Sequence, residues 1–178
     1  PASWFPYIAK TAEKWYPHES VVEYMINRIG QVLGLNMNGI KLIKANGQIR
    51  FLSRYFLNEN EKLVHGAEIC GEHLGDMMLA EEIVFPDCFE SLLVDLIKMI
   101  TFDALAGNND RHFYNWGVID TKKKTSKMPT FAPVYDSARG LLWNISDENC
   151  KHFLTTHVQN GKKIVNYIEE ACPRISIE

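Results

Sequence analysis

Between Glu19 and Leu33 the apolar residues Val22, Ile26, Ile29 and Leu33 recur at helical spacing and so predict one amphipathic helix. Gly34 directly after them is a natural stop. A second helical run, Phe89 to Ala106, gathers Leu92, Leu93, Leu96, Ile97, Ile100, Ala104 and Leu105 on one broad face, which predicts a largely buried helix ending at Gly107. Strand patterns lie around these helices. Tyr7 to Lys10 reads as a strand end. Gly39–Ala45 and Gln48–Phe56 flank Asn46-Gly47, a dipeptide suited to a type I′ hairpin turn. Trp116–Asp120 and Phe131–Tyr135 read as two further strands, joined by a polar segment that ends in Pro129-Thr130. A last helix is expected around Gly161 to Cys172.

These elements predict an α+β chain in two lobes. Strand, helix and hairpin form a small β-rich N-lobe over residues 1–56, and residues 57–178 form a helical C-lobe, with the junction near 52–62. A chain of 178 residues, 46% hydrophobic, can bury such a core. Its formal net charge of −3 offers no general attraction to nucleic acid or to an anionic membrane. The run Lys122-Lys123-Lys124 with Lys127 reads as a solvated hairpin tip. No apolar stretch approaches the roughly 20 residues of a membrane span, and no signal peptide is evident. Cys70, Cys88, Cys150 and Cys172 are scattered without a C-x-x-C pair, which suits a reducing cytoplasm better than a disulfide or zinc framework. The chain opens on Pro1, as a fragment or processed product would.

The two late strands carry the chemistry. If they pair with 120 opposite 131 and 116 opposite 135, Asn115 falls opposite Asp136 at the open end. Cross-strand Cβ atoms lie about 4.5–5.5 Å apart, so both side chains could reach one Mg²⁺ at about 2.1 Å. Asp110 precedes Asn115 in a D-x-x-x-x-N spacing. Asp and Asn singly are ordinary cap and turn residues. Together they are what phosphoryl transfer requires: a carboxylate to take the acceptor's proton, and oxygen ligands for magnesium. The protein-kinase catalytic loop uses the same spacing. Lys10 is placed to contact ATP phosphates, with Glu23 or Glu19, which share a helix face, as its partner. The purine is expected against Phe51, Leu52 or Tyr55. His112 either orients a phosphate or packs within the loop, and it carries no assigned proton chemistry.

Gly107-Asn-Asn-Asp-Arg-His-Phe-Tyr-Asn115 resembles the G-x-x-D-x-H-x-x-N loop of the HipA family of bacterial serine/threonine kinases. Ala132-Pro-Val-Tyr-Asp136 resembles that family's P-x-Y-D metal segment, and weaker likenesses lie in Leu33–Asn36 and Arg50–Phe56. The resemblance implies a two-lobed protein-kinase-like fold with a truncated N-lobe. It implies Asp110 as base, Asn115 and Asp136 as magnesium ligands, Lys10 as phosphate lysine, and ATP with Mg²⁺ as cofactors. It further implies a protein substrate, such as an aminoacyl-tRNA synthetase or another translation factor, and an antitoxin partner. Growth arrest in the cytoplasm, or delivery as an effector into a host cell, would be the setting. The chain departs from the pattern in three ways: it shows no Gly-rich phosphate loop, which is expected upstream or missing; it is short; and Asp136-Ser-Ala-Arg-Gly140 stands where other kinases carry D-F-G.

Asp110-Arg111 with Asn115-Trp116 also echoes the D-R-x-x-x-N-W element of type II phosphatidylinositol 4-kinases. A lipid kinase is therefore the nearest alternative. A pseudokinase or binding module, and a metal-dependent phosphohydrolase, are the others. Liposome flotation separates the first; ligand demand argues against the last.

Overall fold

The computed structural model describes residues 4–12, 16, 18–70, 87–122, 127–155, 161–162, 165–167 and 169. Along them run β1 (Tyr7–Thr11), α1 (Glu19–Val32), β2 (Ile40–Ala45), β3 (Gln48–Arg54), β4 (Glu61–His65), a short α2 (Gly66–Cys70), α3 (Phe89–Ala106), β5 (Gly117–Thr121), β6 (Thr130–Phe131) and α4 (Asp147–Thr155). Two antiparallel three-stranded sheets result, ordered β1-β3-β2 and β4-β5-β6.

Local chemistry explains the first sheet and its helix. Asn46 and Gly47 take φ of 50° and 78°, the two left-handed residues that a type I′ turn needs. Helix α1 ends in a Schellman motif: Leu35 N–H reaches Gly30 O at 3.0 Å and Gly34 N–H reaches Gln31 O at 3.1 Å, with Gly34 at φ 79°.

Helix α3 spans the residues its pattern predicts and buries Leu92 and Leu96 as expected, but its inner stripe is shifted toward Met99, Phe102 and Ala106. Leu92, Leu96 and Met99 pack with Ile69, Trp116, Val118, Phe131 and Val134, while Phe102 and Ala106 meet Ile26 of α1. Ile97 and Leu105, expected inside, are 46% and 69% exposed. A helix apolar on nearly every side does not reveal its inner face by periodicity. Here that face is the one carrying Asp103, a buried carboxylate.

The late hairpin also differs from expectation. Val118 pairs with Phe131 and Ile119 with Thr130, two residues away from the register that would set Asn115 across from Asp136. A two-residue slip leaves every side chain on its own face, so alternation alone cannot detect it. Pairing stops after Ala132, whose N–H reaches Gly117 O at 2.9 Å, because the next N–H on that side, that of Val134, leaves β5. Val134 turns instead to Met37 in a parallel bridge, its N–H on Asn36 O (2.8 Å) and its carbonyl accepting from Asn38 N–H (3.0 Å). The segment leading to Asp136 is thereby tied to the loop after α1. The main partner of β5 is β4, which pairs along its whole length from Glu61–Thr121 to His65–Gly117. Sequence periodicity left β4 unmarked as a strand.

Lys127, expected to be solvated, forms an ion pair with the buried Glu61. Residues 123–126, and much of the helix expected around Gly161 to Cys172, lie outside the described residues.

Candidate active site

Lys10 lies on β1, where its Nζ donates to Asp136 Oδ1 at 2.6 Å and sits 3.7 Å from Glu23 Oε1. Glu19, the other candidate partner, turns instead to Arg139 at 3.4 Å. Burial acts to lower the Lys10 pKa, but the carboxylates of Glu23 and Asp136 outweigh it and the net direction is upward. Glu23 is pushed up to about 7, chiefly by burial, with Lys10 opposing and Asp136 adding like-charge repulsion. Asp136 itself sits at φ 53°, in the left-handed region that Asp tolerates better than most side chains.

Arg111, rather than a strand ladder, ties the backbone of Asn115 to that of Tyr135, the residue before Asp136. Arg111 is fully buried. Its Nη1 donates to Asn115 O at 2.8 Å and to Tyr135 O at 2.5 Å, so one nitrogen joins the backbone of the D-x-x-x-x-N loop to that of the segment before Asp136. Nη2 donates to Ser137 Oγ at 2.8 Å, and Nε and Nη2 hold Asp103. All five guanidinium N–H groups are thus engaged. Asn108 Nδ2 donates to the same Asp103 carboxylate at 2.8 Å.

Within the loop, Asp110 is half-buried, and its carbonyl accepts from His112 N–H at 2.9 Å and from Asn115 Nδ2 at 3.1 Å. With its amide nitrogen so used, Asn115 presents an Oδ1 that accepts no hydrogen bond from the described residues. His112 Nδ1 accepts the Tyr114 N–H at 3.3 Å, and its ring stands edge-on to Tyr114. That geometry gives His112 a part in shaping the loop.

Lys10 and Asp136 line a mostly apolar cleft of about 260 Å³, bounded also by Ile8, Tyr55, Leu57 and Tyr135. Asp110, His112 and Asn115 lie outside this lining. Of the residues expected beside a purine, Tyr55 borders the cleft. Phe51 lies beneath it, 2% exposed, beside a water-sized cavity of about 10 Å³ shared with Glu23 and Asn27. Leu52 is ruled out by strand alternation. Lys10 pairs with Phe51, so Leu52, one residue on, faces the other side of the sheet. Tyr135 OH donates to Tyr114 O at 3.0 Å, and burial pushes its phenol pKa upward.

Among the described residues no group of three or more His, Cys, Asp or Glu forms a metal cage. The donor set is instead one carboxylate and one free amide oxygen. That fits Mg²⁺, which binds few protein ligands and takes the remainder from phosphate and water. Arg111, Asp103 and Asn108 escaped the sequence reading. Their available signal was Asp103 flanked by the apolar Phe102 and Ala104 in α3, eight residues before an arginine.

A solved structure of similar fold is that of CtkA, a proinflammatory kinase of Helicobacter pylori. The two agree with a TM-score of 0.74 at 23% identity, over 89% of this chain and 60% of that one. The chain therefore spans less than two thirds of that kinase's length, and the likeness shows a kinase-like fold. No curated protein matches the chain. The model of the HipA-like C-terminal domain matches residues 2–173, nearly the whole length, and the chain belongs to that family.

Proposed function

We propose that this chain is the catalytic region of an ATP-dependent serine/threonine protein kinase. The observation that carries the reading is the Lys10–Asp136–Glu23 contact at the edge of an apolar cleft, with Asn115 tied to the same segment through Arg111. The apolar walls at Ile8, Tyr55 and Leu57 suit a purine. Phosphate oxygens would replace Asp136 as the partner of Lys10, leaving Glu23 to hold its Nζ. Asp136 and the free Oδ1 of Asn115 would hold Mg²⁺, which neutralises charge on the β- and γ-phosphates. Asp110 would accept the proton of the attacking hydroxyl. A bond then forms from that oxygen to the γ-phosphorus, the bond from phosphorus to the bridging oxygen breaks, and ADP leaves.

A toxin that phosphorylates a translation factor, such as an aminoacyl-tRNA synthetase, under control of an antitoxin is one setting for this activity. An effector acting in a host cell is the other. The test uses labelled ATP, Mg²⁺ and cell lysate with the full-length protein. Label should appear on serine or threonine with wild type and vanish with Asp110→Asn. Retention of full transfer by both Asp110→Asn and Asp136→Asn would overturn the assignment. Label entering phosphatidylinositol in place of protein would point to the lipid-kinase alternative.

A further inference from the structure

The cations of the first sheet are distributed unlike those of the rest of the chain. Strands β1, β2 and β3 carry Lys10, Lys41, Lys44, Arg50 and Arg54 and no Asp or Glu. No acidic residue occurs anywhere between Glu23 and Glu59, although the whole chain is net −3. Elsewhere Lys62, Lys98, Arg111, Lys127 and Arg139 each hold a carboxylate, while Arg28 and Lys122 reach the Gln31 side chain and the Glu59 carbonyl. Lys10 also has its carboxylates, on the cleft side. Lys41, Lys44, Arg50 and Arg54 have no ion pair among the described residues.

Three of these four share one face. Lys10 pairs with Phe51 on one face of the sheet, so by alternation Arg50, Leu52 and Arg54 of β3 take the other, with their partners Thr11, Ala9, Tyr7, Lys41 and Ile43. On that outer face the cations are set in fixed places. The Arg54 guanidinium lies 3.8 Å from the Phe5 ring centroid, Lys41 Nζ lies 4.9 Å from that of Tyr7, and Arg50 donates to Thr11 Oγ1 at 2.7 Å. Side chains already held on rings or a hydroxyl lose less freedom when they meet an anion. Lys44, which pairs with Ile49, stands exposed near the hairpin tip on the opposite face.

We propose that this outer face is a docking surface for an acidic polypeptide segment of a partner protein. Along β3 the order is cation, apolar, cation at two-residue intervals, which an extended segment with carboxylates flanking an apolar side chain would complement. Arginine and tyrosine beside half-buried leucine is a composition suited to protein interfaces. Planar guanidinium groups donate paired N–H bonds to a carboxylate. An anionic membrane fits less well, because Tyr7 and Leu52 of this face are half-buried and lie within the sheet rather than standing above it. Arg54 also borders the cleft, but binding at this surface does not depend on phosphotransfer.

The test measures binding of a short fluorescent poly-L-glutamate peptide to the full-length protein by anisotropy, with phosphatidylserine vesicles as a second arm. Wild type should bind the peptide, with affinity falling as salt rises. Combined Lys41→Glu, Arg50→Glu and Arg54→Glu should weaken binding by about tenfold or more. Lys41→Glu alone, at an exposed position of the outer face, should weaken it in the same direction even if the triple variant folds poorly. Lys98→Glu, at a paired cation elsewhere, should leave it unchanged. Absence of peptide binding, equal loss with Lys98→Glu, or capture by the vesicles but not by the peptide would each overturn the proposal.

Discussion

The Asp103 carboxylate grips the Arg111 guanidinium with both oxygens, at 2.7 and 3.0 Å, where the two side chains are 1% and 0% exposed. A buried pair of this kind adds little net stability over an apolar pair, but breaking it strands a charge in the interior, at a cost of about 3–5 kcal/mol. Asp103→Ala should therefore lower the unfolding free energy by that order in urea titrations. Arg111→Lys keeps the charge but has no planar fork to span Asp103, Ser137 and two carbonyls at once. It should reduce phosphotransfer by more than its loss of stability explains, because the Asn115 and Tyr135 backbones lose their common tie. The double change Asp103→Leu with Arg111→Met should recover stability over Asp103→Ala and still transfer no phosphate. Full activity in that double variant would show that the pair serves folding alone.

Glu23 makes the fold sensitive to pH in a definite direction. Its carboxyl is raised from an ordinary 4.5 to about 7, first by burial. Between these values the folded chain keeps a proton that the unfolded chain has released. Its contribution to stability is thus fully present below about pH 4.5 and declines as the pH rises toward 7. A shift of this size corresponds to roughly 3 kcal/mol. Urea unfolding at about pH 5 and about pH 8 should show wild type losing stability relative to Glu23→Gln, whose amide does not titrate. Parallel behaviour of the two proteins across that interval would remove Glu23 as the source.

Much of this arrangement could be read from residue order where one local rule decides the outcome. Helix α1, the Asn46-Gly47 hairpin and the extent of α3 follow from periodicity and turn chemistry. Lys10 and Glu23 meet because a strand and the next helix leave few alternatives. The unread parts all depend on partners distant in sequence. Nothing in Glu61–His65 announces β5 as its neighbour. The register of β6 goes with the bridge from Val134 to Met37, and no hairpin rule contains that bridge. Arg111 looks like one more loop cation until α3 delivers Asp103 to it. Leu52 was separable in principle, since alternation alone sets it opposite to Lys10 once β1 and β3 are known to pair.

Lys10 and Asp136 should be separable by what each variant loses. Lys10→Met removes the cation that two carboxylates face and brings Glu23 and Asp136 into unrelieved repulsion. It should weaken ATP binding with or without Mg²⁺. Asp136→Asn keeps an oxygen at the same place but halves the charge contrast with Lys10. It should weaken binding of Mg·ATP much more than binding of metal-free ATP. Calorimetric titrations with and without Mg²⁺ would distinguish the two, and equal losses in both conditions for Asp136→Asn would argue against Asp136 as a metal ligand.

Gly66 and Trp116 test how the second sheet supports the loop. Trp116 is 1% exposed and stacks on Phe131 at 5.9 Å, directly after Asn115. A Cβ built on Gly66 would lie 2.8 Å from Trp116 Nε1 and closer still to two ring carbons, inside van der Waals contact. Gly66→Ala must therefore push the indole outward, and overpacking of this kind costs about 1–3 kcal/mol. The displaced ring would carry Asn115 with it, so phosphotransfer should fall along with stability. Trp116 Nε1 has no hydrogen-bond partner among the described residues, so Trp116→Phe sacrifices packing without breaking a polar contact seen there. Combined with Gly66→Ala, it removes the atoms that clash, and the double variant should be more stable than additivity of the two single changes allows. Strict additivity in thermal unfolding would mean that the sheet yields elsewhere and that the indole does not set the position of Asn115.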